Sequence, residues 1–176
     1  IIGAGPSGIF CAYELMRQKP DMKVLMIEKG RSIEKRQCPK RTTKVCVGCK
    51  PCSITTGFAG AGAFSDGKLY LSPDVGGTLP EILGYEKAEE LIKEADNIYL
   101  KFGADEKVYG IDDYEAIERI RAKAIRANLK LIECPIRHLG TEEGYKIYTR
   151  LQEHLLASGV EIKFMTMVQD IIIEDG

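Results

Sequence analysis

No apolar run in this chain of 176 residues approaches the ~20 that a bilayer-spanning helix needs. Net charge is also nearly absent. The 25 basic and 26 acidic side chains leave −1, which lends no support to a nucleic-acid partner or a polybasic membrane role for the whole chain. No Ser-His-Asp order, H-E-x-x-H or P-loop pattern occurs, so hydrolase and kinase readings have no support. Internal repeats and low-complexity tracts are missing as well. So is an initiator methionine: the chain opens on "IIGAGPSG", which reads as the second half of a strand. It stops on "MVQDIIIEDG", a strand entering an Asp-Gly turn with no return strand. Both ends are expected to be cuts in a longer protein.

What is present is an ordinary globular composition, 44% hydrophobic and 29% charged, enough for one sizeable core. Ile1 and Ile2 end a strand, and Ile9, Ala12, Tyr13 and Met16 recur at helical spacing from Ser7 to about Gln18. Lys-Pro-Asp at 19–21 breaks that helix, and "KVLMIE" (23–28) is a continuous apolar strand of the kind buried on both faces of a parallel sheet. Together they make a βαβ unit. Residues 29–80 show no strong period, and a loop that long is usually functional or stapled. Helical periodicity returns over 84–102 and again over 114–127, the latter opened by Asp112 with Glu115 three residues on, a capping box. "LKLIECPI" (129–136), "VEIKFM" (160–165) and "MVQDIII" (167–173) read as strands, and Thr141 opens a helix that Gly159 ends. The expected fold class is α/β: a Rossmann-type domain with a parallel sheet, truncated at both ends, with a Cys-rich loop at 34–56 and a helical insertion at about 81–128.

Gly3-x-Gly5-x-x-Gly8 follows a strand and opens a helix, the setting in which this motif binds a dinucleotide. Gly3 permits the tight turn, Gly5 lets the backbone approach a pyrophosphate, and Gly8 lets helix and strand pack closely. The amides at the helix start, with Pro6 and Ser7, then face the phosphates. Glu28 ends the second strand twenty residues after Gly8, where a carboxylate accepts both ribose hydroxyls. Glu28 argues against a 2′-phosphate, whereas Lys29 and Arg31 keep NADP in play.

"GAGPSGIFCAYEL" with "KVLMIEKGR" resembles the N-terminal fingerprint of the glutathione-reductase-type FAD superfamily. "GAGAFSDGKLYL" (60–71) resembles a signature of the predicted FAD-dependent dehydrogenases, flavoproteins defined mostly by sequence, as do "PIRHLGT" (135–141) and the strand pattern near the end. The resemblance implies FAD bound by Gly3, Gly5, Gly8 and Glu28, with Gly60, Ala61, Gly62, Ser65, Asp66 and Lys68 near the pyrophosphate or the flavin ring. It implies that the Val168 backbone holds the adenine. Lys68 is a candidate charge near the flavin, and His138 a candidate to face it, although a lone histidine at a strand end is more often structural. The family continues into a further sheet domain and a last FAD-contacting segment, so the remaining FAD and substrate regions are expected to lie outside this chain. The disulfide reductases of the superfamily carry Cys-x4-Cys after the ribose acid. No such spacing occurs here, which disfavours a dithiol relay.

Four cysteines crowd into "CPKRTTKVCVGCKPC" (38–52). A chain of this class, with no secretory signature, is expected in a reducing cytosol, where permanent disulfides are rare. Free thiols, a structural zinc held by Cys38, Cys46, Cys49 and Cys52, and an iron–sulfur cluster on the same four all stay open. The Cys-x-x-Cys-x-x-Cys run and the Cys38-Pro39 pair favour the cluster. Cys11 and Cys134 read as core residues. The expected function is a cytoplasmic FAD-dependent oxidoreductase, acting on a small-molecule substrate or redox partner with NAD(P)H among the candidates and coupled to that four-cysteine centre. The alternatives are a flavin- or nucleotide-binding module with a structural zinc loop and no turnover, and half of an NAD-binding dehydrogenase.

Overall fold

The glycine turn and the apolar strand after it organise the first part of the chain. In a computed structural model that describes residues 1–174, helix α1 (Pro6–Gln18) buries Ile9, Ala12, Tyr13 and Met16, the face the spacing predicts. Strand β1 (Leu25–Ile27) then runs parallel to the N-terminal residues through an Ile2–Ile27 bridge. The Gly3 amide donates to the Ile27 carbonyl at 2.8 Å, and the Ile27 amide to that of Ile1 at 2.9 Å. This is the βαβ unit.

Five further helices and four further strands follow β1 among the described residues. They are α2 (Lys40–Thr43), β2 (Lys68–Tyr70), α3 (Leu79–Leu83), α4 (Tyr85–Lys101), β3 (Val108–Tyr109), α5 (Tyr114–Arg126), β4 (Ile136–His138), α6 (Thr141–Ala157) and β5 (Glu161–Lys163). Two compact units result, 1–65 with 141–176, and 66–140.

In the first unit β1 pairs with β5 in parallel, Met26 opposite Ile162. α6 packs on this layer with Ile147, Leu151 and Leu155 fully buried, alongside Ile9, Met26, Ile33 and Phe58. Gly159 ends α6 at φ 93°, where the Val160 amide turns back to the Leu155 carbonyl at 3.0 Å, a Schellman closure. The second unit is a three-stranded antiparallel sheet in the order β2-β4-β3 with α3, α4 and α5. Arg137 on β4 forms a bidentate pair with Asp96 on α4, at 2.5 and 2.8 Å, and also donates to the Asp105 carbonyl at 2.5 Å. The architecture is thus mixed α/β with a small parallel sheet, and no described helix is long and apolar enough to cross a membrane.

Three local expectations are corrected. The cap of α5 is Asp113, whose carboxylate accepts from the Ala116 amide at 2.8 Å, not Asp112. Residue three on from that cap is an alanine, so no capping box closes. The strand expected over 129–136 is confined to Ile136–His138, because only there do β2 and β3 supply ladder partners. Residues 167–173 form no strand: no neighbour offers a ladder among the described residues, and Ile171, Ile172 and Ile173 are exposed.

Candidate functional site: two glycine segments and a buried acid

The start of α1 is built to leave its amides available. Gly5 is the N-cap, no side chain caps the helix, and Pro6 opens the first turn. Pro6 and Ser7 are exposed. Nothing lies within 4 Å of where a Gly5 side chain would begin, whereas a Cβ on Gly8 would collide with the Gly3 carbonyl. Gly3 itself turns at φ 94°. One glycine therefore serves packing and another leaves room, which is the division that a pyrophosphate seat requires.

Glu28 stands at the end of β1 and is only 6% exposed. One carboxylate oxygen accepts from the Ala4 amide at 2.8 Å and the other from the Gly30 amide at 2.7 Å. The acid is thus locked against the glycine turn, and each oxygen keeps a further lone pair for a hydroxyl donor. Its own carbonyl accepts from Thr166 at 3.0 Å, and Val168 lies two residues further along that segment, half-buried. Lys29 is exposed beside it.

The second glycine segment packs directly on the first. The Ala59 amide donates to the Ala4 carbonyl at 2.7 Å, and a Cβ on Gly60 would lie 3.8 Å from the Gly5 Cα. Ala59 holds φ 69° despite its side chain, and Gly60–Phe64 form one 3-10 turn that carries Ala61 and Gly62 and ends before Ser65. A left-handed alanine stores strain of the kind found where backbone is held for a purpose. Gly30 and Gly57 cross so closely that a Cβ on Gly30 would fall 2.6 Å from the Gly57 Cα.

Arg36 is the residue that sequence reasoning missed. It is 3% exposed and donates to four carbonyls: Ser53 at 3.0 Å, Ile54 at 2.7 Å, Phe58 at 2.5 Å and Gly60 at 2.7 Å. Burial loosens its proton, while the nearby Glu28 carboxylate and Cys52 act in the opposite sense. It staples the glycine strip from below. Nothing in its sequence setting, one of six basic residues between Glu34 and Cys52, distinguishes it.

The remaining expected residues are not all gathered. Asp66 and Lys68 belong to the second unit and pair with each other at 3.1 Å, both exposed. His138 faces Lys68 across the β2–β4 ladder. All six cysteines are free thiols. Cys46 and Cys52 are exposed, Cys38 and Cys49 half-buried. Among the described residues no three His, Cys, Asp or Glu side chains stand as a metal's ligands would. Four thiols are a suitable donor set for zinc or iron. The Ile54 and Thr55 amides and the Thr55 hydroxyl hold the Cys52 thiol below its ordinary range, with Arg36 adding a small contribution. Cys11, expected in the core, is exposed, because it sits on the face of α1 opposite Ile9 and Ala12.

Residues 1–33 match the NAD(P)-binding Rossmann-like domain family. This stretch contains the glycine turn, α1, β1 and Glu28, and it supports a nucleotide cofactor for the first unit. No curated protein matches the chain.

Proposed function

We propose that the chain is the cofactor-binding part of an FAD-dependent oxidoreductase, acting on a small-molecule substrate or redox partner. The observation that carries this reading is the second glycine strip laid on the first, Ala59 on Ala4 and Gly60 beside Gly5. It extends the small-residue surface beyond what a turn for one pyrophosphate requires. Gly3, Gly5, Pro6, Ser7 and Gly8 would receive the pyrophosphate, Glu28 and Lys29 the ribose, and the Val168 backbone the adenine. Gly60, Ala61, Gly62 and Ser65 would lie along the next part of the cofactor. Bound FAD supplies hydride or single-electron transfer; these residues bind and orient it and exclude water. Asp66 and Lys68, an exposed pair at 3.1 Å, would supply charge beyond Ser65.

A second reading, an NAD(P)-binding half, is favoured by the family match over residues 1–33. The ultraviolet–visible spectrum of anaerobically purified full-length protein separates the two. A yellow protein that releases FAD on denaturation is the expected result. A colourless protein that binds NAD(H) and no flavin sinks the flavin reading. Metal analysis of the same sample decides whether Cys38, Cys46, Cys49 and Cys52 take iron, zinc or nothing, and no step above depends on it.

A further inference from the structure

A cavity of about 480 Å³ in the first unit lies apart from the glycine turn. It lies beside the outer end of the 3-10 turn, between residues 34–41 and the first turn of α6. Its volume is in the range of small-molecule sites, which are usually apolar-walled with a few placed polar groups. The apolar wall is Ala63, the Phe64 ring and the body of Tyr145. The charged groups are Arg36, Arg41 and Lys146 against Glu34 and Glu142, an excess of one positive charge.

These charges are not equally available. All the Arg36 bonds go to main-chain carbonyls, so it contributes field and no free fork. Lys146 shares its charge with Glu143 at 2.5 Å, an exposed pair of the kind that exchanges readily with solvent. Glu34 already accepts from the Ser32 hydroxyl and, at 3.0 Å, from the Gln152 amide. Glu142 remains an acid at the wall and sets an upper limit on how strong the field can be. Arg41 is different. Its guanidinium stands 5.8 Å from the centre of the Phe64 ring, and no carboxylate is bonded to it among the described residues. Arg36 reaches the same ring at 4.8 Å. A planar fork with free donors beside a half-buried aromatic ring matches a carboxylate attached to an apolar body.

We infer that this cavity is a second ligand site, one that takes a small organic acid: carboxylate on the Arg41 fork, apolar or aromatic body against Phe64 and Tyr145. The site goes beyond the dinucleotide reading and stands whether the glycine turn takes FAD or NAD(P), since none of its wall residues is assigned to the cofactor. It lies at the outer end of the strip that packs on Gly5.

Ligand-observed NMR titration of the full-length protein tests this without any turnover. Benzoate is the probe, benzamide its neutral counterpart, and inorganic phosphate the bare anion. Benzoate should bind at least tenfold more tightly than benzamide and more tightly than phosphate. Arg41→Ala should weaken benzoate about tenfold, Arg41→Lys by less, and Lys146→Ala by only a few-fold, with thermal midpoints near that of the parent because both side chains are exposed. Saturating ADP should leave benzoate binding in place. The inference is overturned if benzoate does not bind, if benzamide binds equally, or if Arg41→Ala changes nothing. Phosphate binding as well as benzoate would overturn the organic-acid assignment. Displacement by ADP would mean that the cavity belongs to the cofactor's own phosphate seat.

Discussion

Gly5 and Gly30 lack the same carbon for opposite reasons, and that difference can be measured. Space around Gly5 is open on the protein side, and its backbone at φ −73° suits any residue. Gly5→Ala should therefore change stability by no more than about 1 kcal/mol, the scale of an N-cap preference, while dinucleotide binding is lost because the new methyl group occupies the phosphate's approach. At Gly30 the methyl would meet the Gly57 backbone, which cannot move as a side chain could. Gly30→Ala should cost about 1–3 kcal/mol or more in chemical denaturation, the range for overpacking. Equal stability losses for the two variants would show that the first glycine serves packing after all. The glycine spacing was legible in the sequence because each residue has a distinct stereochemical job. The job of Arg36 was not legible, since burial depends on where a 24-residue loop folds back.

Between elements, Gln152 is the connection that no periodicity reveals. It lies on the buried face of α6, where its carbonyl oxygen accepts from the Ile33 amide at 3.0 Å and its amide donates to Glu34 at 3.0 Å. One side chain thus satisfies a buried backbone group and positions an acid. Gln152→Leu should cost about 1–3 kcal/mol at neutral pH, the penalty of leaving the Ile33 amide unsatisfied. The acid limb supplies a second readout. Burial pushes the Glu34 carboxyl up, but the Ser32 hydroxyl and the Gln152 amide outweigh it and hold the group below its ordinary 4.5. Stability from this depressed value is fully present above about pH 4.5 and is lost as pH falls through the folded value. The deficit of Gln152→Leu should therefore shrink in acid; a deficit constant from pH 7 to 3 would remove Glu34 from the account. The helices themselves were readable: α1, α4, α5 and α6 fall where the apolar spacing puts them, with α1 and α6 each burying one stripe, α4 burying Ala88 and Tyr99, and α5 keeping the period without a buried residue. The strands were less so. β4 and the failed strand at 167–173 depend on partners distant in sequence, and "LKLIECPI" carries no sign of which three residues will find one.

At the scale of the whole chain, the helical stretch that looked like an insertion is part of a unit with its own sheet. The antiparallel ladder of β2, β4 and β3 spans residues separated by up to 70 positions, a pairing invisible to local pattern. That unit also has its own charged tie. Arg137 and Asp96 are 5% and 12% exposed in their side chains, and burial at that level makes the loss of one partner far more costly than the loss of both. Arg137→Met should destabilise residues 66–140 by about 3–5 kcal/mol, because Asp96 is left buried and uncompensated. Asp96→Asn in the same chain should recover part of that loss, since an amide tolerates the site without a cation. Each unit has a separate core, Ile9, Met26, Phe58 and Leu151 in one and Ala88, Tyr99, Phe102 and Leu139 in the other. Hydrogen exchange followed by mass spectrometry should then report the effect of Arg137→Met as lost protection within 66–140, with α1, β1 and α6 unchanged, and Gly30→Ala as the mirror image. Loss of protection throughout the chain with either variant would mean that the two cores unfold as one, and that the cofactor turn cannot be perturbed independently of the sheet at 66–140.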